Sequence, residues 1–314
     1  MVLSYRHAFH AGNRGDVFKH AVMLDLLRAE IAARARTRVV ETHAGAGLYA
    51  LRSGKADERR EWAQGIGKAW DAFAADVARS GGHGDDAEAK QSPGPLQELV
   101  RHVAQFNNSK KRQRLDLYPG SPLLTLQMLR DQDEAVFYEL HASDMPVLQW
   151  HCASPGRHVL KNGPKIELGD GLAGLRAEAT RADLEGCTLA FIDPPYEVKS
   201  EYNEVARCVL ACAAANASMT IALWYPLILG MDRAETMVQS LCESLKTPWV
   251  DVREQAPNEG AGLERGMWGS GVLVVNPESR WLAQAGQFGD RLGRDAAQAF
   301  GSDHVVRLTL SPQV

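Results

Sequence analysis

The chain is poor in the features that suit a protein to an oxidising compartment or a bilayer. Its five cysteines, Cys152, Cys187, Cys208, Cys212 and Cys242, are odd in number and contain no C-x-x-C pair, which excludes a fully paired disulfide framework and a thiolate zinc finger. Cys208 and Cys212 fall four apart on an expected helix, but no second pair completes a metal site. Apolar runs are short: Ile221 to Tyr225 stops at Pro226, far below the roughly 20 residues that a bilayer demands. The N-terminus is polar and carries histidines, so no secretory leader is expected. Excess positive charge is absent as well, with a net charge of −4; any polyanion must then be met by a local basic face. We expect a soluble, cytoplasmic protein with no membrane partner and no obligate protein partner. What the chain does have is 45% hydrophobic residues, enough for a large α/β core with insertions.

One stretch organises the rest. Leu189-Ala190-Phe191-Ile192 reads as a short buried strand, and Asp193-Pro194-Pro195-Tyr196 follows at its carboxyl end. Ligands of open α/β sheets bind beyond that end of the strands. Two prolines stiffen the backbone there and remove its donors. Asp193 and the Pro194 carbonyl can accept both N–H bonds of an exocyclic amine, while Tyr196 stacks on the ring that bears it. The alternative reading is a strand ended by proline with a turn aspartate.

Other strand ends carry matching chemistry. Arg38 to Glu41 is a strand feeding His43-Ala44-Gly45-Ala46-Gly47, where glycines permit tight turning beside a ligand. Ala135 to Glu139 ends in an acid suited to ribose hydroxyls, and Lys165 to Leu168 leads to Asp170-Gly171. Met219 to Pro226 is a further strand, and two more are expected around Val250 and Leu273, with helices over 201–214 and 231–245 between. Asp16 is read as the cap of a helix through Ile31, Ser121 as the cap of a helix with Pro122 in its first turn, and Ser143 as the cap of a short one. An amphipathic helix is expected over 56–70, with Trp62, Ile66, Trp70 and Phe73 on one face, and a second over 96–106. Residues 79–95 hold almost nothing to bury and are expected to be a flexible loop. His7-x-x-His10 lacks a third ligand at metal spacing, so no metal is expected. Candidate phosphate contacts are Arg6, Arg14 and Lys19 near the start and the basic run Lys110, Lys111, Arg112 and Arg114.

Taken together, Ser4-Tyr5-Arg6-His7, Phe9-His10-Ala11-Gly12-Asn13, Lys19-His20, His43-Ala44-Gly45-Ala46-Gly47, Tyr118-Pro119-Gly120-Ser121-Pro122, Asp193-Pro194-Pro195-Tyr196 and Leu223-Trp224-Tyr225-Pro226 resemble the bacterial ribosomal large-subunit (23S) RNA adenine-N6 methyltransferase J family nearly end to end. The resemblance implies a Rossmann-like α/β methyltransferase sheet formed by residues 1–50 and 119–314, with 1–15 as a mobile N-terminal tail and 51–118 as an inserted helical subdomain. It implies S-adenosyl-L-methionine as cofactor, held by His20, His43, Gly45, Gly47, Ser121, Glu139, Asp170, Gly171 and Asp193. Asp193, Pro194 and Tyr196 would carry catalysis on a flipped adenine. Tyr5, Arg6, His7, Lys19, Lys110, Lys111 and Arg112 would contact 23S ribosomal RNA largely free of ribosomal proteins. Glu41 stands where the family usually has aspartate, and the stretch 79–95 is longer than the family leads one to expect. The rival readings are a DNA adenine-N6 methyltransferase, a protein-glutamine methyltransferase (which usually has asparagine in place of Asp193) and a non-catalytic nucleic-acid-binding protein.

Overall fold

The computed structural model describes residues 7–79, 93–109, 112–154, 159–181, 187–256 and 266–312. Eight strands form one sheet: β1 (Arg38–Glu41), β2 (Glu134–Glu139), β3 (Lys165–Leu168), β4 (Cys187–Ile192), β5 (Thr220–Ile228), β6 (Trp249–Gln255), β7 (Met267–Val275) and β8 (Val305–Leu310). Their spatial order is β8-β6-β7-β5-β4-β1-β2-β3. Strands β1 to β5 are mutually parallel, whereas β7 runs antiparallel to both β5 and β6, and β8 antiparallel to β6. The expected antiparallel pair after the parallel strands is therefore present, and β8 extends it by one strand.

Among the described residues, nine longer helices accompany the sheet: α1 (Arg14–Ala33), α2 (Ile66–Arg79), α3 (Pro95–Asn107), α4 (Ser121–Met128), α5 (Met145–Ala153), α6 (Gly171–Ala179), α7 (Lys199–Ala215), α8 (Arg233–Ser244) and α9 (Ser279–Phe300). Alternation along the strands divides the core in two. Val39, Phe137, Leu189, Phe191 and Val272 face one layer with residues of α1, α2, α3 and α9. Val40, Val136, Ala190, Ile192 and Leu273 face the other with α6, α7 and α8. Both faces are buried, which is why β4 reads as an unbroken apolar run rather than an alternating one.

Several local expectations are corrected. Asn13, not Asp16, caps α1: its side chain accepts the Asp16 N–H, and Asp16 lies inside the first turn. Gly120 precedes α4, so Ser121 is its first residue, and Asp144 rather than Ser143 precedes α5. The single helix expected over 56–70 is broken into Lys55–Arg59, a 3-10 turn Glu61–Ala63 and α2. Arg60 adopts φ +54° at the first break, a left-handed conformation that ends a helix. Ile66 then donates its N–H to the Gly12 carbonyl at 2.8 Å, and a Cβ on Gly65 would collide with that same carbonyl. Close packing on the N-terminal segment thus takes priority over continuing the helix. Residues 80–92 of the expected flexible loop lie outside the described residues.

Candidate active site

The chain leaves β1 for β2 on one side of it and later returns to place β4 on the other, so β1 and β4 border the sheet's switch point. Such a point opens a crevice at the carboxyl ends of the strands. A cavity of about 820 Å³ lies there. Among the predicted residues, Asp193, Pro194, Tyr196, His20, His43, Gly45, Ser121, Glu139, His7 and Lys19 line it. Gly47, Asp170 and Gly171 are not among its lining residues. Asp170 instead caps α6, its Oδ1 accepting the Leu172 N–H at 2.9 Å and the Ala173 N–H at 3.2 Å. Tyr5, Arg6, Lys110, Lys111 and the side chain of Arg112 lie outside the described residues.

Asp193 ends an ionic chain that runs through Lys19 and Asp16 to His7. Lys19 Nζ is 2.5 Å from Asp193 Oδ2 and 2.7 Å from Asp16 Oδ1. Asp16 Oδ2 in turn meets His7 Nε2 at 3.0 Å and accepts the Gly12 N–H at 2.8 Å. Burial opposes charge on both ionised members of α1, yet the partners outweigh it. Burial would lower the Lys19 pKa, but Asp16 and Asp193 hold it above the usual lysine range. Burial would raise that of Asp16, but His7 and Lys19 carry it well below the usual carboxylate range. The spacing of three between Asp16 and Lys19 puts both on one face of α1. Reading Asp16 as a cap hid that pairing. Lys19 and Arg14, expected as phosphate contacts, are only 3% and 8% exposed. Arg14 is taken up by Glu254, with Nε 2.6 Å from Oε1.

The two histidines beside this chain are neutral. Burial, and then the charge of Lys19, pushes His20 down to about 3, leaving an uncharged imidazole whose Nδ1 lies 2.7 Å from the Tyr118 hydroxyl. Burial pushes His43 down to about 4, with Nδ1 2.7 Å from Thr42 Oγ1. Glu41 sits beneath the site, accepts a hydrogen bond from Thr125 Oγ1 at 2.8 Å, and is raised by burial to about 7. Glu139, at the end of β2, is 8% exposed. Its two oxygens accept the N–H groups of Gly45 at 2.7 Å and His141 at 2.6 Å. His141, a lining residue that the sequence reading did not select, follows Glu139 by two.

Tyr196 closes the wall on the other side. Its φ of +53° is rare for a side chain of this bulk, and such outliers gather at functional sites. The hydroxyl donates to the Trp224 carbonyl at 3.0 Å, and the ring packs on Tyr202 with centroids 4.5 Å apart. Trp224, also a lining residue, receives Lys19 Nζ 5.3 Å from its ring centroid.

Comparison with known proteins decides the family. The model of ribosomal RNA large subunit methyltransferase D, RlmJ, matches residues 35–309. The ribosomal RNA large subunit methyltransferase J of Escherichia coli is 33% identical over 280 residues, 88% of each chain. The chain belongs to this methyltransferase family. The Haemophilus influenzae member, of the same name, is 30% identical over 278 residues, again 88% of each chain. A crystal structure of a Legionella pneumophila protein shares the fold, with a TM-score of 0.77 and 23% identity, covering 97% of this chain and 99% of that one. The α/β methyltransferase sheet is thus the one expected from the sequence. Among the described residues no helix is long and apolar enough to cross a membrane, and no group of three or more His, Cys, Asp or Glu side chains could hold a metal ion.

Proposed function

We propose that the protein transfers a methyl group from S-adenosyl-L-methionine to N6 of an adenine in 23S ribosomal RNA. The observation that carries the reading is Asp193 at the end of the central strand, open to the cavity, followed by a proline-stiffened corner and a fixed Tyr196 ring. An acceptor-rich, donor-poor corner suits an aromatic amine and has little use in a protein that merely binds nucleic acid.

The residues present fit the cofactor. Glu139 is a buried carboxylate held in place by two backbone N–H groups, suited to receiving ribose hydroxyls. Gly45, at φ +65°, lets the backbone pass where a Cβ would collide with the Tyr49 hydroxyl. The neutral imidazoles of His20 and His43 add no positive charge that would oppose a sulfonium. Bound there, S-adenosyl-L-methionine supplies an electrophilic methyl group. With Oδ2 on Lys19, the second oxygen of Asp193 accepts one N–H of the target amine, and the Pro194 carbonyl accepts the other. Tyr196 stacks on the adenine. These acceptors favour rehybridisation of a delocalised nitrogen, which is positioning and electrostatic stabilisation. The amine proton becomes acidic only as the new C–N bond forms, so Asp193 serves as acceptor first and base late.

Incubation with methyl-tritiated cofactor and, in parallel, deproteinised ribosomal RNA or DNA, then nuclease digestion, tests this. Label should appear in N6-methyladenosine from 23S RNA. Label in DNA alone, or on another atom of the base, overturns it.

A further inference from the structure

The insertion carries an arrangement of cations at the cavity mouth that the active-site chemistry does not use. Phe9, in the N-terminal 3-10 turn, has Lys55 Nζ 5.3 Å and the Arg59 guanidinium 5.6 Å from its ring centroid. Trp62 has the guanidinium of Arg52 at 4.9 Å and that of Arg60 at 5.9 Å. Two aromatic rings therefore fan four cations, and Arg59 and Arg60 line the cavity itself. Their side chains are 57% and 62% exposed. Their carboxylate partners stand at the limit of ion-pair distance, Glu61 at 3.8 Å from Arg59 and Asp57 at 3.9 Å from Arg60. Such exposed pairs hold a cation weakly, so a phosphate oxygen can replace the carboxylate. Among the described residues Lys55 has no carboxylate partner.

The base of this arrangement is tied down by contacts with the N-terminal segment. His10 Nδ1 meets Glu61 Oε2 at 2.8 Å, Ile66 bonds back to Gly12, and the left-handed Arg60 turns its side chain onto the rim. Cations gathered beside the cavity, two of them lining it, match a strand whose extruded base enters the cavity while its flanking phosphates stay outside. We propose that Lys55, Arg59 and Arg60, fanned by Phe9 and Trp62, form the phosphate clamp that seats the RNA strand on either side of the target adenine. The clamp gives affinity and register rather than sequence readout, and it rests on the RNA reading given above.

The test is the variant Lys55→Gln/Arg59→Gln/Arg60→Asn, asparagine being chosen because it tolerates the left-handed backbone. Binding to a fluorescent fragment of deproteinised 23S RNA is followed by anisotropy from about 50 to 200 mM salt, beside calorimetry with S-adenosyl-L-methionine. RNA affinity should fall roughly tenfold at the salt concentration of the cell. The slope of log affinity against log salt should shrink by about 2, from three contacts at roughly 0.7 each for a single strand. Cofactor affinity should stay within about twofold, which also reports that the variant is folded. Unchanged RNA affinity and slope, with the wild type methylating the same RNA, overturn the clamp and leave the proposed activity standing. A wild type that methylates duplex DNA and no RNA overturns the activity, and the clamp with it.

Discussion

Lys19 joins the buried carboxylate of Asp16 to the partly buried one of Asp193, two like charges that would otherwise repel each other. Removing a cation from such an arrangement strands the charges it compensates, at a cost of about 3–5 kcal/mol. Lys19→Met should therefore both destabilise the fold and lose turnover. Lys19→Met combined with Asp16→Asn should recover much of the melting temperature while remaining inactive, because Asp193 still lacks its cation. Recovery of activity in the double variant would show that Lys19 matters only for stability. Asp193→Ala should behave differently, abolishing methyl transfer while cofactor affinity by calorimetry stays within a few-fold. Turnover above about a tenth of wild type, a loss under roughly 1.4 kcal/mol, would remove Asp193 from its role.

Between elements, Glu41 ties the end of β1 to α4 through Thr125. Its carboxyl is raised from 4.5 to about 7 in the folded protein, chiefly by burial. The folded state thus binds this proton more tightly than the unfolded chain does. The resulting contribution is fully present below pH 4.5, is lost as pH rises toward 7, and is absent above. A shift of that size corresponds to about 3 kcal/mol. Glu41→Gln should therefore raise the melting temperature at pH 8 and lose that advantage near pH 5; an equal gain at both would assign the effect to packing. The contact between insertion and N-terminal segment is a second joint. Gly65→Ala drives a methyl into the Gly12 carbonyl, an overpacking that costs about 1–3 kcal/mol. It should hasten proteolysis within residues 7–13 and lower turnover. Wild-type cleavage rates would mean the joint yields without strain.

Over the whole molecule, the insertion does not stand apart. Trp70, Phe73 and Leu99 of α2 and α3 share one core with α1 and with Trp281, Phe288 and Leu292 of α9. Trp281 Nε1 donates to Asp25 Oδ2 at 2.9 Å, and Asp295 Oδ2 accepts the Leu96 N–H at 2.8 Å. We expect thermal unfolding in one cooperative transition, lowered as a unit by Trp281→Ala, which should cost about 3–5 kcal/mol. Two resolved transitions, with only one moved by the substitution, would make the insertion a separate folding unit.

The sequence by itself determined the parallel core and the strand ends that border the cavity. Short apolar runs ending in Glu41, Glu139 and Asp193 are local signals, since burial on both faces leaves its mark in each run and a strand-end carboxylate is legible beside it. Proline and glycine marked the corner at Asp193 and the turn at Gly45 for the same reason. The helix expected over 56–70 failed because its amphipathic pattern is real but a contact with Gly12, distant in sequence, breaks it at Arg60 and Gly65. Arg14 and Lys19 looked like surface cations because burial of a long charged side chain is decided by partners the chain supplies elsewhere, Glu254 and Asp193. The half of the proposed clamp at Phe9 was invisible for a related reason: that ring and its cations, some fifty residues apart, meet only once the insertion has folded onto the N-terminal segment. Local chemistry thus wrote the strands and the acceptor corner, and tertiary packing alone decided which charges are neutralised inside and which stay exposed at the cavity.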